Sequence, residues 1–220
     1  MSLKIVVLAK QVPDTRNVGK DAMKADGTIN RAALPAIFNP EDLNALEQAL
    51  RLKDEHPGST VTILTMGPGR AAEVIREGLY RGADNGYLLT DRAFAGADTL
   101  ATTYALKCGI EAFDEDFDLL ICGKMAVDGD TAQIGPELAG AFEIPCVTDV
   151  SCVQSAGFTT CGSLALVHGC DAGEETVYLE MPCAMTTAKE IGQLRMPSIA
   201  GIRAAEEADV CVVSAADVHA

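Results

Sequence analysis

Along the chain, short apolar runs alternate with stretches in which apolar residues recur every three or four positions. Residues 3–9 form one such run, β-branched in part and bounded by Lys10 and the Pro13-Asp14 turn signal, and predict a buried strand. Over 41–55 the apolar positions Leu43, Leu46, Ala49, Leu50 and Leu52 fall at helical spacing. Asn39-Pro40 ahead of them supplies a cap and a proline at the first helical position. The same reading predicts strands at 60–66, 86–90 and 118–122 and helices within 70–82, 98–113 and 131–142. Strands that are apolar on both faces and alternate with helices indicate a parallel sheet covered on each side, a doubly wound α/β unit. After Pro145 the rhythm changes. Residues 146–154, 161–168 and 176–182 read as strands joined by Gly, Ser and Asp turns with no helix between them, which predicts antiparallel additions at the sheet edge. The last forty residues are Ala-rich and have no clear strand-helix order. They suggest an α/β domain over 1–190 followed by an arm over 191–220 that docks on its own domain or on a partner.

The 220 residues carry 32 carboxylates against 17 basic groups, a formal charge of −15. Such a field repels phosphate backbones and anionic lipid, so nucleic acid is excluded as a partner while a single nucleotide held by local backbone dipoles is not. No apolar run approaches the roughly 20 residues of a membrane helix, and the N-terminus lacks a secretory layout, so a cytoplasmic chain is expected. None of the eight cysteines has C-x-x-C spacing, and no histidine flanks them at zinc-site spacing. They read as reduced, mostly buried hydrophobes, with no metal site.

Ligands of open parallel sheets bind at the carboxyl ends of the strands, which directs attention to the loops after residues 9, 66, 90 and 122. The G-x-G-x-x-G fingerprint and the Walker loop are both missing. The most unusual loop is Gly123-Lys124-Met125-Ala126-Val127-Asp128-Gly129-Asp130-Thr131-Ala132-Gln133-Ile134-Gly135-Pro136. Thr131 can cap the helix that follows, whose free N–H groups would take an anion. Gly123 and Gly129 would admit a ligand close to the backbone, Lys124 and Gln133 add donors, and Asp128 and Asp130 suit ribose hydroxyls or the loop's own amides. On spacing alone, an ordinary capped turn explains the stretch equally well. A second glycine turn runs Leu64–Arg70. In a third, Asp91–Thr99, Asp98 or Thr99 can cap a helix while Phe94 and Gly96 face a flat ligand. No catalytic constellation emerges. His168 reads as a satisfied edge-strand residue, and pairs such as Glu41-Asp42 as solvated helix faces. A nucleotide-shaped site without reactive side chains leaves the chemistry to a cofactor.

Lys10-Gln11-Val12-Pro13-Asp14, Asn39-Pro40-Glu41-Asp42, Gly82-Ala83-Asp84, Phe94–Thr99 and the Gly123–Pro136 loop together resemble the beta subunit of electron-transfer flavoprotein. The similarity runs from residue 3 to about 150 and more loosely to 204. It implies an adenine-nucleotide α-hydrolase-like, Rossmann-like sheet and a heterodimer with an alpha subunit. It also implies nucleotide contacts at Ala9, Asn39, Pro40, Glu41, Asp42, Met66 and the loop Gly123, Lys124, Met125, Ala126, Val127, Asp128, Gly129, Asp130, Thr131, Ala132, Gln133 and Ile134. In one branch of the family that nucleotide is AMP. In the other it is a second FAD, and the heterodimer oxidises NADH and splits its electrons between a low-potential acceptor, ferredoxin or flavodoxin, and a high-potential one. Members associated with nitrogen fixation belong there. The wording of residues 128–133 and 94–99 resembles this bifurcating branch, in which Gly67, Phe94, Asp98 and Thr99 would line the flavin. Met125 stands where glutamine is usual. Gly192–Ser198 departs from the family's recognition loop for an acyl-CoA dehydrogenase, which leaves the redox partner, a dehydrogenase or a quinone oxidoreductase, open. The chain also stops short of the family's full wrapping arm. A stand-alone nucleotide-binding protein of the universal stress type would carry a glycine-spaced phosphate motif late in the sheet, and none is present.

Overall fold

The computed structural model describes residues 2–14, 34–113, 116–154, 163–208 and 210–218, without the side chain of Glu190. Cys161 and the start of the strand expected at 161–168 lie outside the described residues. The elements run β1 (Lys4–Leu8), β2 (Gln11–Pro13), β3 (Ala36–Phe38), α1 (Pro40–Glu55), β4 (Thr60–Met66), α2 (Ala72–Arg81), β5 (Asn85–Leu89), α3 (Thr99–Phe113), β6 (Leu119–Gly123), α4 (Ile134–Ala141), β7 (Cys146–Val153), β8 (Ser163–Cys170), β9 (Gly173–Glu180), β10 (Cys183–Thr187), α5 (Ile199–Glu207) and β11 (Cys211–Val213).

Nine strands form one sheet in the order β11-β5-β4-β1-β6-β10-β7-β8-β9, while β2 and β3 pair separately as a small antiparallel ribbon. Strands β11 through β7 run parallel to one another, and among the described strands of this sheet β8 and β9 are the antiparallel additions. The doubly wound α/β expectation therefore holds. The chain winds outward from β1 through β4 to β5, then crosses back to β6 on the other side of β1, which makes the β1/β6 border the topological switch point.

Period-two alternation along β1 explains the two cores. Ile5 and Val7 point to one face and pack with Leu46 and Leu50 of α1 and Ile75 of α2. Val6 and Leu8 point to the other and meet Leu106 and Ile110 of α3 and Leu138 of α4.

Three expectations are corrected. Residues 146–153 are not an antiparallel addition, because β10 pairs in parallel with both β6 and β7 and carries the parallel sheet one strand further. The segment after 190 has order after all: α5 packs on α2, and β11 joins the far edge beside β5. The cysteines are not mostly buried; of the seven described, only Cys122 and Cys183 are, while Cys152, Cys170 and Cys211 are exposed. His168 is satisfied as expected, 2.9 Å from Glu175, although β8 is an inner strand.

Candidate functional site

A cleft of about 690 Å³ opens at the carboxyl ends of β1, β4 and β6. Of the residues singled out from sequence, Ala9, Asp42 and Met66 line it, as do Phe94, Asp98 and Thr99 on one rim. From the long loop it receives Gly123, Lys124, Met125, Ala126, Gly129, Thr131, Ala132, Gln133 and Ile134. Asn39, Pro40, Glu41, Gly67, Val127, Asp128 and Asp130 do not line it. Gly67 and Asp128 border a separate cavity of about 200 Å³ beside β2. Lys10, Leu64, Thr102, Leu106 and Cys122 also line the cleft, although none of them was among the expected nucleotide contacts.

The loop after β6 is fastened from below. Asn39 is the N-cap residue of α1, yet its side chain makes no cap bond. Its amide instead donates to the Met125 carbonyl at 3.0 Å, and its side-chain oxygen accepts from the Val127 N–H at 3.2 Å. Asp128, whose side chain is 3% exposed, takes the Lys10 ammonium at 2.7 Å. Lys124 is likewise held by Asp149 at 2.8 Å. These groups shape the loop.

Thr131 is not the helix cap. Asp130 (φ 51°) and Ala132 (φ 54°) adopt left-handed backbone, which postpones the helix to Ile134 with Gln133 as its N-cap residue. The consequence is chemical. The N–H groups of Thr131, Ala132, Gln133, Ile134 and Gly135 make no hydrogen bond to any described residue; the first bond into the helix runs from Glu137 N–H to the Gln133 carbonyl at 2.9 Å. Five successive unpaired donors, joined to the positive end of a helix, suit an anionic oxygen such as a phosphate's. On the opposite rim Asp98 caps α3, accepting the Ala101 N–H at 2.8 Å.

Glu41 and Asp42 are not solvated. They are 2% and 7% exposed because β6 passes directly under the first turn of α1. A Cβ on Gly123 would stand 2.5 Å from the Glu41 carbonyl carbon and 2.6 Å from Asp42 Oδ1. Gly123 therefore serves helix-to-strand packing at the cleft wall. Gly129, with ordinary backbone, lines the cleft and has open space where a Cβ would stand. Asp42 accepts the backbone N–H of Lys10 at 2.8 Å and of Gly123 at 3.1 Å. Burial nevertheless pushes its carboxyl up to about 7, outweighing those bonds, the Asn39 amide and the Lys10 charge. Beside it, burial pushes the Cys122 thiol up as well, with the Asp42 charge adding to the effect, so Cys122 stays a neutral wall residue.

The sheet and its cleft define the class first: a Rossmann-like α/β protein whose binding cleft sits at the switch point. Residues 26–218 match the family described as the electron transfer flavoprotein domain. The chain is 44% identical over 218 residues to the electron transfer flavoprotein subunit beta of Thermoanaerobacterium thermosaccharolyticum, covering 99% of this chain and 80% of that one. It is 42% identical over 217 residues to the caffeyl-CoA reductase-Etf complex subunit CarD of Acetobacterium woodii, with 98% and 80% covered. To the protein FixA of Azorhizobium caulinodans it is 40% identical over 221 residues, with 98% and 76% covered. The chain belongs to the electron transfer flavoprotein family, and within it to the beta-subunit type.

Proposed function

We propose that the cleft holds FAD and that the chain works as one half of a heterodimer with an alpha subunit, passing electrons between NADH or a dehydrogenase and acceptor proteins. The observation that carries this reading is the run of unpaired N–H groups at 131–135 in a cleft that continues beyond it to Phe94, Thr102 and Leu106. A diphosphate fits the donor run, and a flat ring suits the apolar far end. An AMP molecule would leave that end empty. The cleft's volume lies within the range of about 300–1,000 Å³ found for cofactor sites.

FAD would supply the electron chemistry, accepting a hydride and releasing single electrons. The chain's own residues would bind and orient it. The 131–135 donors neutralise phosphate, Asp42 offers a buried acceptor to a ribose hydroxyl, and Leu64, Leu106 and Cys122 exclude water. Splitting of the electron pair between a low-potential acceptor such as ferredoxin or flavodoxin and a high-potential one belongs to the same reading. So does a cytoplasmic setting. Met196 and Ile199, 87% and 74% exposed, give the dehydrogenase or quinone oxidoreductase an apolar contact.

Denaturing the purified heterodimer and identifying the released nucleotides tests this. Two FAD per heterodimer is the expected result. One FAD with one AMP would make this chain a structural subunit, and no adenine nucleotide would overturn the site.

A further inference from the structure

Helices α3 and α4 both begin at the cleft, one on each side of its mouth, and beside the apolar packing of Leu106 and Ile110 with Leu138 the Glu137 side chain ties them together by hydrogen bonds. Glu137, one turn into α4, receives the Thr99 hydroxyl at 3.1 Å on Oε1 and the Thr103 hydroxyl at 2.9 Å on Oε2. Thr99 and Thr103 are four residues apart, so they lie on one face of α3, and the carboxylate accepts from both like a two-pronged fork. Thr103 is 3% exposed, which shields half of this link from water. Thr99 lines the cleft, whereas Glu137 and Thr103 do not.

The link fixes a distance that matters to a ligand. The donor run at 131–135 is continuous with the first turn of α4, and the rim formed by Phe94, Asp98 and Thr99 is continuous with the first turn of α3. A ligand that touches only the donor run does not sense how the helices are spaced. A ligand that reaches from the donor run to the Phe94 rim does. The bond directions add a polarity. Both hydroxyls donate to Glu137, so Thr99 faces the cleft as an acceptor, suited to a hydroxyl or ring N–H of the ligand.

We infer that Glu137 is a positioning residue that holds the two rims of the cleft at the separation a dinucleotide requires, and so sets selectivity for FAD over AMP. The inference rests on the nucleotide reading of the cleft given above.

The test is titration of the nucleotide-stripped heterodimer with FAD and with AMP, for the parent and for Glu137→Ala, Glu137→Gln and Thr103→Val. Glu137→Ala should weaken FAD about tenfold, the equivalent of one or two hydrogen bonds' worth of organisation, while AMP stays within about twofold. Thr103→Val should show a smaller loss of the same FAD-selective kind. Glu137→Gln should bind FAD nearly as the parent does, because its oxygen accepts from one threonine and its amide donates to the other, whose hydroxyl can turn to accept. Equal weakening of both nucleotides would reduce Glu137 to a general structural residue, and unchanged FAD affinity in Glu137→Ala would overturn the inference outright. Should Glu137→Ala fail to fold, Thr103→Val and Glu137→Gln decide the matter by the same FAD-to-AMP ratio. A parent that binds neither nucleotide would instead overturn the reading of the cleft, and one that binds AMP alone would overturn both.

Discussion

Replacing Asp42 with asparagine should flatten the dependence of stability on pH. In the folded chain burial keeps this carboxyl protonated up to a pH of about 7, against 3.8 for the exposed group. Between those values the folded state binds the proton and the unfolded state does not, so stability falls as pH rises. The contribution is complete below the unfolded value and gone above about 7. From pH 5.5 to 8 it amounts to about 2 kcal/mol at 1.36 kcal/mol per pH unit, or a shift of melting temperature of about 4–8 °C for a chain of this length. The window starts at 5.5 because the isoelectric point of about 4.5 limits solubility below it. Asparagine has the same shape but no proton to lose. Its oxygen keeps one of the N–H groups of Lys10 and Gly123, while its amide faces the other donor, at a cost of about 1–3 kcal/mol that is the same at both pH values and cancels. Other carboxylates titrate alike in the two proteins. Urea unfolding of nucleotide-free parent and Asp42→Asn at pH 5.5 and 8 gives the four free energies needed. Equal changes with pH in the two proteins would refute the buried, proton-holding carboxyl.

Gly123→Ala should cost about 3 kcal/mol or more and release any bound nucleotide, because the new methyl group meets the backbone of Glu41; unfolding by urea reads the loss directly. Lys10→Met takes the ammonium from the nearly buried Asp128 carboxylate and should cost about 1–3 kcal/mol and speed nucleotide release from the loop in a stopped-flow chase. Ala132→Gly relieves a left-handed residue (φ 54°) and should be neutral or stabilising by up to about 1 kcal/mol in thermal melts; a clear loss would mean that the methyl group itself packs on something. Glu47→Gln breaks a clamp in which Glu47 accepts from Arg51 and three times from Arg195, so hydrogen exchange over 191–196 should accelerate while the global melting temperature moves little.

Much of the fold is legible because it depends on local pattern. The runs Ile5–Leu8, Val61–Leu64 and Leu119–Cys122 are buried on both faces and, Thr62 apart, apolar, as a covered parallel sheet requires. Strand β10 escaped notice because Thr186 and Thr187 look like a polar loop after Pro182, although both are buried within the sheet. The ribbon of β2 and β3 is three residues to a side, too short for any periodicity. The cleft was placed by the strand-to-helix loops, and its shape was not. Glu41-Asp42 looks like any acidic first turn; what buries it is Gly123, 81 residues further on. Lys10 and Asp128 lie 118 residues apart with no local mark of their pairing. Thr131 has the right chemistry for a cap, but the two left-handed residues around it move the helix start beyond its reach.

The place of β10 has a consequence for how the molecule is made. It slots between β6 and β7, so β6, which leads into the loop proposed to hold a nucleotide, has no neighbour on that side until residues 183–187 arrive. A chain emerging from the ribosome with residue 135 exposed would already have every donor of the loop, yet the strand beneath it would be an open edge. Residues of β7 that come first, pairing with β6 themselves, would shut β10 out. On the proposed reading of the cleft, cofactor loading follows release of nearly the whole chain, and ligand added during synthesis should be captured only once translation has passed the last strand of the parallel core.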